Sequence, residues 1–425
     1  MRGGSRQIHK PHTAQPKPHT TPALAVTIAL LAASCTDPVL PRTGLPTLDD
    51  PVPGNYVAVS AGREHSCALT TDGSAFCWGS NEFGQLGVAP DNTNCLRGDR
   101  PIACKREPVA VSGGMKFARI RAGGSHTCAL GVDSRIYCWG DNLRGALGDP
   151  AVRGSTTPVP IVSADAFTDL AVGGSHSCGI RTDGTVFCWG ANDDGQLGLS
   201  TVGSGSATPF AIQSTQRFSS LAAGDRRTCA RTAEGLTFCW GAMWVARQNG
   251  VEVTRPQSQP FRIPAPLFKT LAVGTNTTCG IALDDRAYCW EANPAGSLGD
   301  GSTSGSTIPL AVSGDVRFLV MSSGGMQTCA LADTGAAFCW GSNRVGQLGV
   351  SPAVTSRCGG AAFMACSRVP IRVSGWRLFS AITAGQGDHA CALTLSGNIY
   401  CWGAGGLGQR GDGRSTNEWS PARTR

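Results

Sequence analysis

The sequence predicts an all-β chain folded as a seven-bladed β-propeller with four-stranded blades. Three observations support this fold: a hairpin-like segment recurs seven times, its copies lie about 50 residues apart, and each unit holds four strand-like segments. The 57 glycines and the 41% hydrophobic composition suit a turn-rich chain with a large core. A closed ring of blades would leave few open sheet edges.

The recurring segment is clearest at residues 62–79, GREHSCALTTDGSAFCWG. It predicts two short strands joined at Asp72-Gly73, because glycine adopts positive φ without a Cβ clash. A three-residue turn places Cys67 directly opposite Cys77, at a separation that a disulfide spans. A two-residue turn would shift the register and set the two cysteines diagonally.

The same Cys-x9-Cys-Trp pattern marks all seven units, with first cysteines spaced 61, 50, 51, 50, 50 and 62 residues apart. Each pair is predicted to form a disulfide within its blade, which indicates an oxidising compartment. Zinc is the alternative, but the short Cys-x2–4-Cys spacing of zinc sites is missing from the pattern. The predicted pairs are Cys67 with Cys77, Cys128 with Cys138, Cys178 with Cys188, Cys229 with Cys239, Cys279 with Cys289, Cys329 with Cys339, and Cys391 with Cys401.

In the second unit the strand-like segments are residues 108–111, 117–122, 127–130 and 136–139. They are rich in β-branched, aromatic and small residues with little polar alternation, which favours sheets packed on both faces. The seven Cys-Trp tryptophans are accordingly predicted to lie in the core or between blades. The tail, residues 420–423, resembles the start of another repeat and is a candidate for a strand beside blade one.

The segments Gly-x-x-His-Ser/Thr-Cys-Ala-Leu, Asp-Gly, Cys-Trp-Gly and Asn-x-x-Gly-Gln-Leu-Gly resemble the repeat of the regulator of chromosome condensation family, over roughly residues 52–425. The resemblance implies a propeller and says less about function, because one fold hosts unrelated tasks. This chain departs from the repeat in places: Ser134 and Asp285 replace the turn glycine, and Glu291 replaces the glycine after tryptophan. Residues 242–250 replace Asn-x-x-Gly-Gln-Leu-Gly in the fourth unit, and the loss of this motif predicts an irregular connection there. Sequence drift is the favoured explanation of these departures.

Residues 1–34 are predicted to be a signal peptide, because four basic residues precede an apolar run from Ala23 to Ala33 that is short for a membrane span. The run ends at Cys35, in a sequence that resembles a bacterial lipoprotein cleavage box, so Cys35 is the predicted lipidation site. Ordinary cleavage near Ala33 is the alternative. Residues 35–51 would then be a tether, and a chain in the cell envelope or secreted is expected.

Two insertions, after the first and sixth hairpins, account for the long repeats. Each holds a further predicted disulfide, Cys95 with Cys104 and Cys358 with Cys366, so lipidation would explain the one cysteine left over. In a ring of seven, only blade seven separates them, and both would leave the same rim. The insertions are predicted either to bind a partner or merely to cap blade edges. Their candidate binding residues are Arg97, Arg100, Lys105, Arg106, Arg357 and Arg368.

A histidine recurs two residues before the first cysteine in four units that are consecutive around a closed ring, as His65, His126, His176 and His389. Metal binding is one interpretation; a hydrogen bond from each ring to neighbouring backbone is the favoured one. The other units have Arg227, Thr277 and Gln327 there. Residues 192–195 resemble only part of a calcium loop.

No catalytic or cofactor motif is present, so no catalytic residue, metal or cofactor is predicted. The formal charge of +7 falls to +3 without the signal segment, and no basic-aromatic run indicates nucleic-acid binding. We therefore expect a non-catalytic propeller, outside the cytoplasm, that recognises a protein or glycan partner through its loops and meets the membrane only through a lipid anchor. The resemblance offers guanine nucleotide exchange on the small GTPase Ran as an alternative. A metal-dependent lyase is a second one, and a secreted relative that inhibits β-lactamases shows that binding alone can be the function.

Overall fold

The recurring segment forms an antiparallel hairpin in every unit. A computed structural model describes residues 55–249, 251–358 and 364–425, and the predicted signal peptide, tether and Cys35 lie outside these ranges. Cys67 lies directly opposite Cys77, and Gly73 ends a three-residue turn with φ +80°. The predicted register is therefore confirmed. Ser134 and Asp285, in place of the turn glycine, adopt φ +65° and +68°.

Every hairpin carries its predicted disulfide, with the two Cα atoms 4.0 or 4.1 Å apart on facing strands. Each cysteine of the repeat is therefore bonded to sulfur within its own blade, and the zinc alternative does not apply to these pairs. The blade disulfides, from blade one to blade seven, join Cys67 to Cys77, Cys128 to Cys138, Cys178 to Cys188, Cys229 to Cys239, Cys279 to Cys289, Cys329 to Cys339, and Cys391 to Cys401.

Each hairpin is flanked by an inner strand, on the axis of the ring, and by an outer strand at the rim. The inner strands, in blade order, are Tyr56–Ala61, Phe117–Ala122, Phe167–Val172, Ser220–Ala223, Phe268–Val273, Phe318–Ser323 and Phe379–Ala384. The second strands are His65–Thr70, His126–Gly131, His176–Arg181, Arg227–Arg231, Thr277–Ala282, Gln327–Ala332 and His389–Thr394.

The third and outer strands complete the seven sheets. The third strands are Ala75–Ser80, Ile136–Asp141, Val186–Asn192, Thr237–Gln248, Ala287–Glu291, Ala337–Ser342 and Ile399–Gly403. The outer strands are Arg100–Ala110, Gly154–Pro160, Gly203–Ala211, Val251–Arg262, Ser306–Ala311, Met364–Arg372 and Glu418–Arg423. Two short strands, Asn94–Arg97 and Ser356–Cys358, extend blades one and six to five strands, and a 3-10 helix spans Pro352–Val354.

The outer strands correct two predictions. Residues 108–110 belong to the outer strand of blade one, not to the second unit, because each unit's outer strand follows its hairpin along the chain. The tail strand Glu418–Arg423 pairs with the third strand of blade seven, not beside blade one. Every sheet is thus built from consecutive segments, and the ring closes by packing of blade seven against blade one.

The core consists of seven apolar clusters, one at each junction between neighbouring blades. The seven Cys-Trp tryptophans are fully buried in these junctions, as predicted. Five of these rings pack beside a phenylalanine at or just before the start of an inner strand, as Trp139 does on Phe117 with centroids 5.9 Å apart. The sheets are therefore stabilised chiefly by their neighbours, because each blade alone would expose both apolar faces.

Seven glycines circle one mouth of the central channel. A Cβ on each would lie no more than 2.6 Å from the carbonyl oxygen of the equivalent glycine in the next blade. Glycine is required here because two backbones approach closely, not because φ is positive. The circle returns from blade seven to blade one, which shows that the ring is closed. The glycines are Gly62, Gly123, Gly173, Gly224, Gly274, Gly324 and Gly385.

Candidate binding face

The connections between third and outer strands lie at one end of the disc, which we call the hairpin face. Three of these connections are enlarged: residues 91–104 of blade one, residues 242–257 of blade four and residues 351–366 of blade six. The turns between second and third strands lie at the opposite end of the same antiparallel sheets. All three enlarged connections therefore project from the same face of the propeller.

The blade-one hairpin is held rigidly on the disc. The Cys95–Cys104 disulfide staples it, with Cα atoms 5.7 Å apart in a diagonal arrangement. Both cysteines and Ile102 pack against Leu407 from the loop of blade seven. Gly413 N also donates to the Arg106 carbonyl at 2.9 Å. The hairpin thus stays at a defined position over the boundary between blades seven and one.

The basic residues of the blade-one hairpin are engaged with nearby acceptors. Arg97 forms ion pairs with Glu64 and Glu82, and Arg100 pairs with Glu82. Lys105 pairs with Asp91, and Arg106 donates to the Asn94 carbonyl at 2.8 Å. These four of the six candidate residues lie together, but paired acids reduce the positive potential that they present.

The blade-six hairpin follows the same design. Its Cys358–Cys366 disulfide is also diagonal, with Cα atoms 5.8 Å apart. Arg357 lies exposed on the short extra strand, whereas the exposed Arg368 lies on the outer strand, where its carbonyl accepts from Gly301 N of blade five at 2.9 Å. With these two staples, all nine predicted disulfides are present in the structure.

The blade-four connection corrects a prediction in part: residues 242–249 belong to a long antiparallel hairpin rather than a loop, although the pairing register shifts between Trp244 and Ala246. Gln248 pairs with Val251, and Asn249 has φ +49° in the turn between them. The Asn249-Gly250 pair between β-branched and apolar residues is a strong hairpin signal that could have predicted it. Trp244 anchors the hairpin: its indole Nε1 donates to Glu252 at 2.6 Å.

Among the described residues, each enlarged connection has one large aliphatic side chain that is mostly exposed. Leu96 in blade one, Val251 in blade four and Val354 in blade six are 63%, 65% and 75% exposed. They are the most exposed large apolar side chains among the described residues of the three connections, and the neighbouring charges of blade one are paired. Sequence reasoning predicted the basic residues of the insertions as binding residues and missed these exposed aliphatic ones.

The recurrent histidines lie between blades and face no open site. Each donates from Nε2 to a hydroxyl of the next blade, as His176 does to Thr228 at 2.8 Å. That hydroxyl donates its only proton to a loop carbonyl, here that of Gln196 at 3.1 Å. The histidine must therefore be the donor in the bond between them. The predicted hydrogen bond therefore exists, but its partner is a hydroxyl rather than backbone. The remaining pairs are His65 with Thr127, His126 with Ser177 and His389 with Ser66.

Burial lowers the pKa of these histidines, to about 3 for His65 and His176 and to about 4 for His126 and His389. They are therefore neutral at pH 7. Within the described ranges, no three His, Cys, Asp or Glu side chains are grouped to hold a metal ion.

The side chains of residues 192–194, in the segment that resembles part of a calcium loop, bond to other groups of the protein. Asp193 pairs with Arg144, and Asp194 lies 3.3 Å from Arg226. Asn192 donates to the Thr201 carbonyl at 2.9 Å. Among the described residues, no helix is long and apolar enough to cross a membrane.

These features define a disulfide-rich seven-bladed propeller in which three repeats carry a His-Ser/Thr-Cys hairpin and three carry a Gly-Gln-Leu-Gly loop. The family profile described as the RCC1-like domain matches residues 95–425, and the profile of the regulator of chromosome condensation (RCC1) repeat matches residues 56–85. The chain belongs to the RCC1-like domain family.

Known proteins share the fold. The solved structures of human WBSCR16 and of Prp20p from Saccharomyces cerevisiae align with a TM-score of 0.69 each, at 20% and 22% identity. The first alignment covers 83% of this chain and 94% of WBSCR16; the second covers 87% of both chains. A probable E3 ubiquitin-protein ligase of Homo sapiens, HERC4, is 36% identical over 91 residues, which are 21% of this chain and 8% of the ligase. The chain thus matches only a small part of that relative's length.

Proposed function

We propose that this protein is a non-catalytic recognition module outside the cytoplasm, which binds a protein partner through its hairpin face. The observation that carries the proposal is the projection of three hairpins from one face, two of them stapled by disulfides. A preorganised loop loses little conformational entropy on binding, so its contacts contribute more to affinity. The propeller would serve as the rigid support.

A protein partner is favoured over a glycan because each hairpin offers an exposed aliphatic side chain. Leu96, Val251 and Val354 are suited to fill apolar pockets of a protein surface, as anchor residues of interfaces do. The surrounding ion pairs, such as Arg100–Glu82, would form a polar rim of low net charge. The non-catalytic part of the proposal is supported by the recurrent histidines, whose rings are buried and whose Nε2 atoms donate to hydroxyls of the next blade.

The location outside the cytoplasm is supported by the nine disulfides, since such bonds persist in oxidising compartments. The predicted signal peptide, and lipidation at Cys35, would deliver and anchor the chain. Fractionation of cells that express the full chain would test this: the protein should leave the cytoplasm, and Cys35→Ser should release it from the membrane. Retention of the wild-type chain in the cytoplasm would contradict the proposal.

The binding surface is tested by crosslinking in envelope extract, followed by isolation of the captured partner. The triple variant L96D/V251D/V354D should lose the partner, because aspartates cannot enter apolar pockets without desolvation. V132D/L283D is the matched control: Val132 and Leu283 are 69% and 63% exposed on turns of the opposite face. Equal capture by the triple variant would overturn the proposed surface, and capture abolished by glycosidase treatment would identify a glycan instead.

A further inference from the structure

The central channel contains a cavity of about 170 Å³ lined by the inner strands of all seven blades. One level of its wall is formed by the residue directly before each glycine of the circle. In blade one, Gly62 N donates to the His65 carbonyl at 2.8 Å, so the alternation of an antiparallel pair directs the N–H and C=O of Ala61 away from the second strand, toward the channel. The same bond recurs in every blade, so each blade directs one backbone N–H to this level.

In blades seven, one and two, this N–H bonds to a hydroxyl of the preceding blade. The hydroxyl belongs to the residue two positions before the glycine of its own blade. Since a hydroxyl is both donor and acceptor, each oxygen that accepts from an amide keeps its proton to donate elsewhere. The bonds run from Ala384 N to Ser322 Oγ at 2.9 Å, from Ala61 N to Thr383 Oγ1 at 3.1 Å, and from Ala122 N to Ser60 Oγ at 3.0 Å.

In blades four, five and six, the N–H at this level has no such acceptor. The residue of the preceding blade that would supply the hydroxyl is an alanine that lines the cavity: Ala171, Ala222 or Ala272. The N–H groups concerned belong to Ala223, Val273 and Ser323, of which the last two are buried. Buried backbone N–H groups are nearly always paired, with water or a ligand where the protein offers no acceptor. These three amides therefore point to a molecule bound in the channel.

No charge of this wall is assigned to a ligand. Arg121 stands at the hydroxyl position of blade two, and its guanidinium is engaged by protein groups that include the Ile120 carbonyl, at 3.3 Å. The inward C=O groups lie beside the inward N–H groups, so an anion would meet acceptors as well as donors. The wall therefore favours a neutral ligand whose polar groups both donate and accept, and a hydroxyl is such a group.

We propose that the channel binds a neutral cyclic polyol, such as an inositol. Hydroxyls of the ligand accept from the N–H groups of Ala223, Val273 and Ser323 and from the three wall hydroxyls, and they donate to the inward carbonyl oxygens. A ring compound suits this level because the wall groups lie around a closed circle, and the hydroxyls of a six-membered ring radiate outward. The alanine methyls leave the space that the ring occupies. This site is distinct from the hairpin face and does not depend on a partner binding there.

The test is an NMR titration of the nitrogen-labelled chain, with myo-inositol as the probe and cyclohexanol as a control that keeps the ring but has one hydroxyl. With myo-inositol, the amide resonances of Ala223, Val273 and Ser323 should shift saturably. Those of Ala61 and Ala122 should shift less, because these amides already bond to hydroxyls. Cyclohexanol should bind roughly tenfold more weakly, since it leaves most of the wall donors without an acceptor.

Ala222→Leu should lower the affinity for myo-inositol by roughly tenfold or more, because the larger side chain fills the space beside the free amides. Ala118→Leu is the matched control, since Ala118 is an exposed inner-strand residue outside the cavity lining, and it should leave the affinity unchanged. Near-UV circular dichroism would show that each variant keeps its fold, and Ala272→Leu repeats the test from the next blade.

Absence of saturable shifts with myo-inositol would overturn the proposal, because water alone would then pair with the three amides. Equal affinity for myo-inositol and cyclohexanol would also overturn it. So would an unchanged affinity for myo-inositol in a folded Ala222→Leu or Ala272→Leu variant.

Discussion

The junction between blades three and four differs from the junction between blades four and five in how its buried hydrogen-bond donors are satisfied. In the first, His176 donates to Thr228, and both Thr228 and the Trp240 indole donate to the Gln196 carbonyl, at 3.1 and 2.9 Å. That carbonyl belongs to the Gly-Gln-Leu-Gly loop of blade three. One loop carbonyl therefore satisfies two buried donors of the next blade.

Blade four has the long hairpin in place of this loop, so its junction with blade five has no equivalent carbonyl. The Trp290 Nε1 atom is buried without a hydrogen-bond partner. Arg227 replaces the histidine, donates to Thr278 at 2.9 Å and pairs with Glu291, which replaces the glycine after tryptophan and has φ +89°. Burial lowers the pKa of Arg227 to about 9, so it stays charged at pH 7. The departures at Arg227, Glu291 and Ala242 thus meet at one junction, since Arg227 pairs with Glu291 and its Nε donates to the Ala242 carbonyl at 2.7 Å.

Removing Arg227 should have the largest effect at a single junction. Arg227→Met leaves Glu291 charged and buried without its partner, which costs about 3–5 kcal/mol. The double variant R227H/E291G restores the repeat pattern and should recover much of this loss, since glycine also suits the positive φ. Thermal unfolding midpoints would measure both effects. An unchanged midpoint for Arg227→Met would show that the pair contributes little.

The second-largest expected effect is a loss of folding stability in acid, at the blade junctions that contain the recurrent histidines. The pKa of His176 falls from an ordinary 6.5 to about 3 in the folded chain, so the unfolded chain binds the proton more tightly. The stabilisation is complete above pH 6.5 and is lost as the pH falls, by about 2 kcal/mol for His176 at pH 5. His176→Gln, which copies the residue of blade six, should flatten the pH dependence of the unfolding midpoint. An unaltered slope in this variant would contradict the assignment.

The smallest effect isolates a single indole N–H. Trp240→Phe removes a donor that is bonded to the Gln196 carbonyl, whereas Trp290→Phe removes one that has no partner. Both substitutions remove similar buried volume, so the first should cost about 1 kcal/mol more than the second. Unfolding midpoints of the two variants measure the difference. Equal losses would mean that the bond at Trp240 adds nothing net.

Features set within one repeat were predictable from the sequence. The turn register follows from Asp72-Gly73 and the cysteine spacing, because the partners lie ten residues apart on adjacent strands. The blade disulfides and the burial of tryptophan follow from seven copies of one pattern. The candidate site was predicted in part: the stapled insertions were found, but the pairing of Arg97 and Arg100 with Glu82 and the exposed Leu96 were not.

The sequence by itself determined the seven blades, their disulfides and the position of the two stapled insertions, since these depend on short-range periodicity. The tertiary structure alone decided how the ring closes, which strand completes each sheet, and which charges meet across junctions. It also brought together Arg121 with hydroxyls from blades one, six and seven in one layer of the channel. The contacts across junctions and at the ring closure join residues such as Arg119 and Asp169, 50 positions apart, or Trp78 and Gln409, 331 positions apart, and only the packing of blades around the ring brings them together.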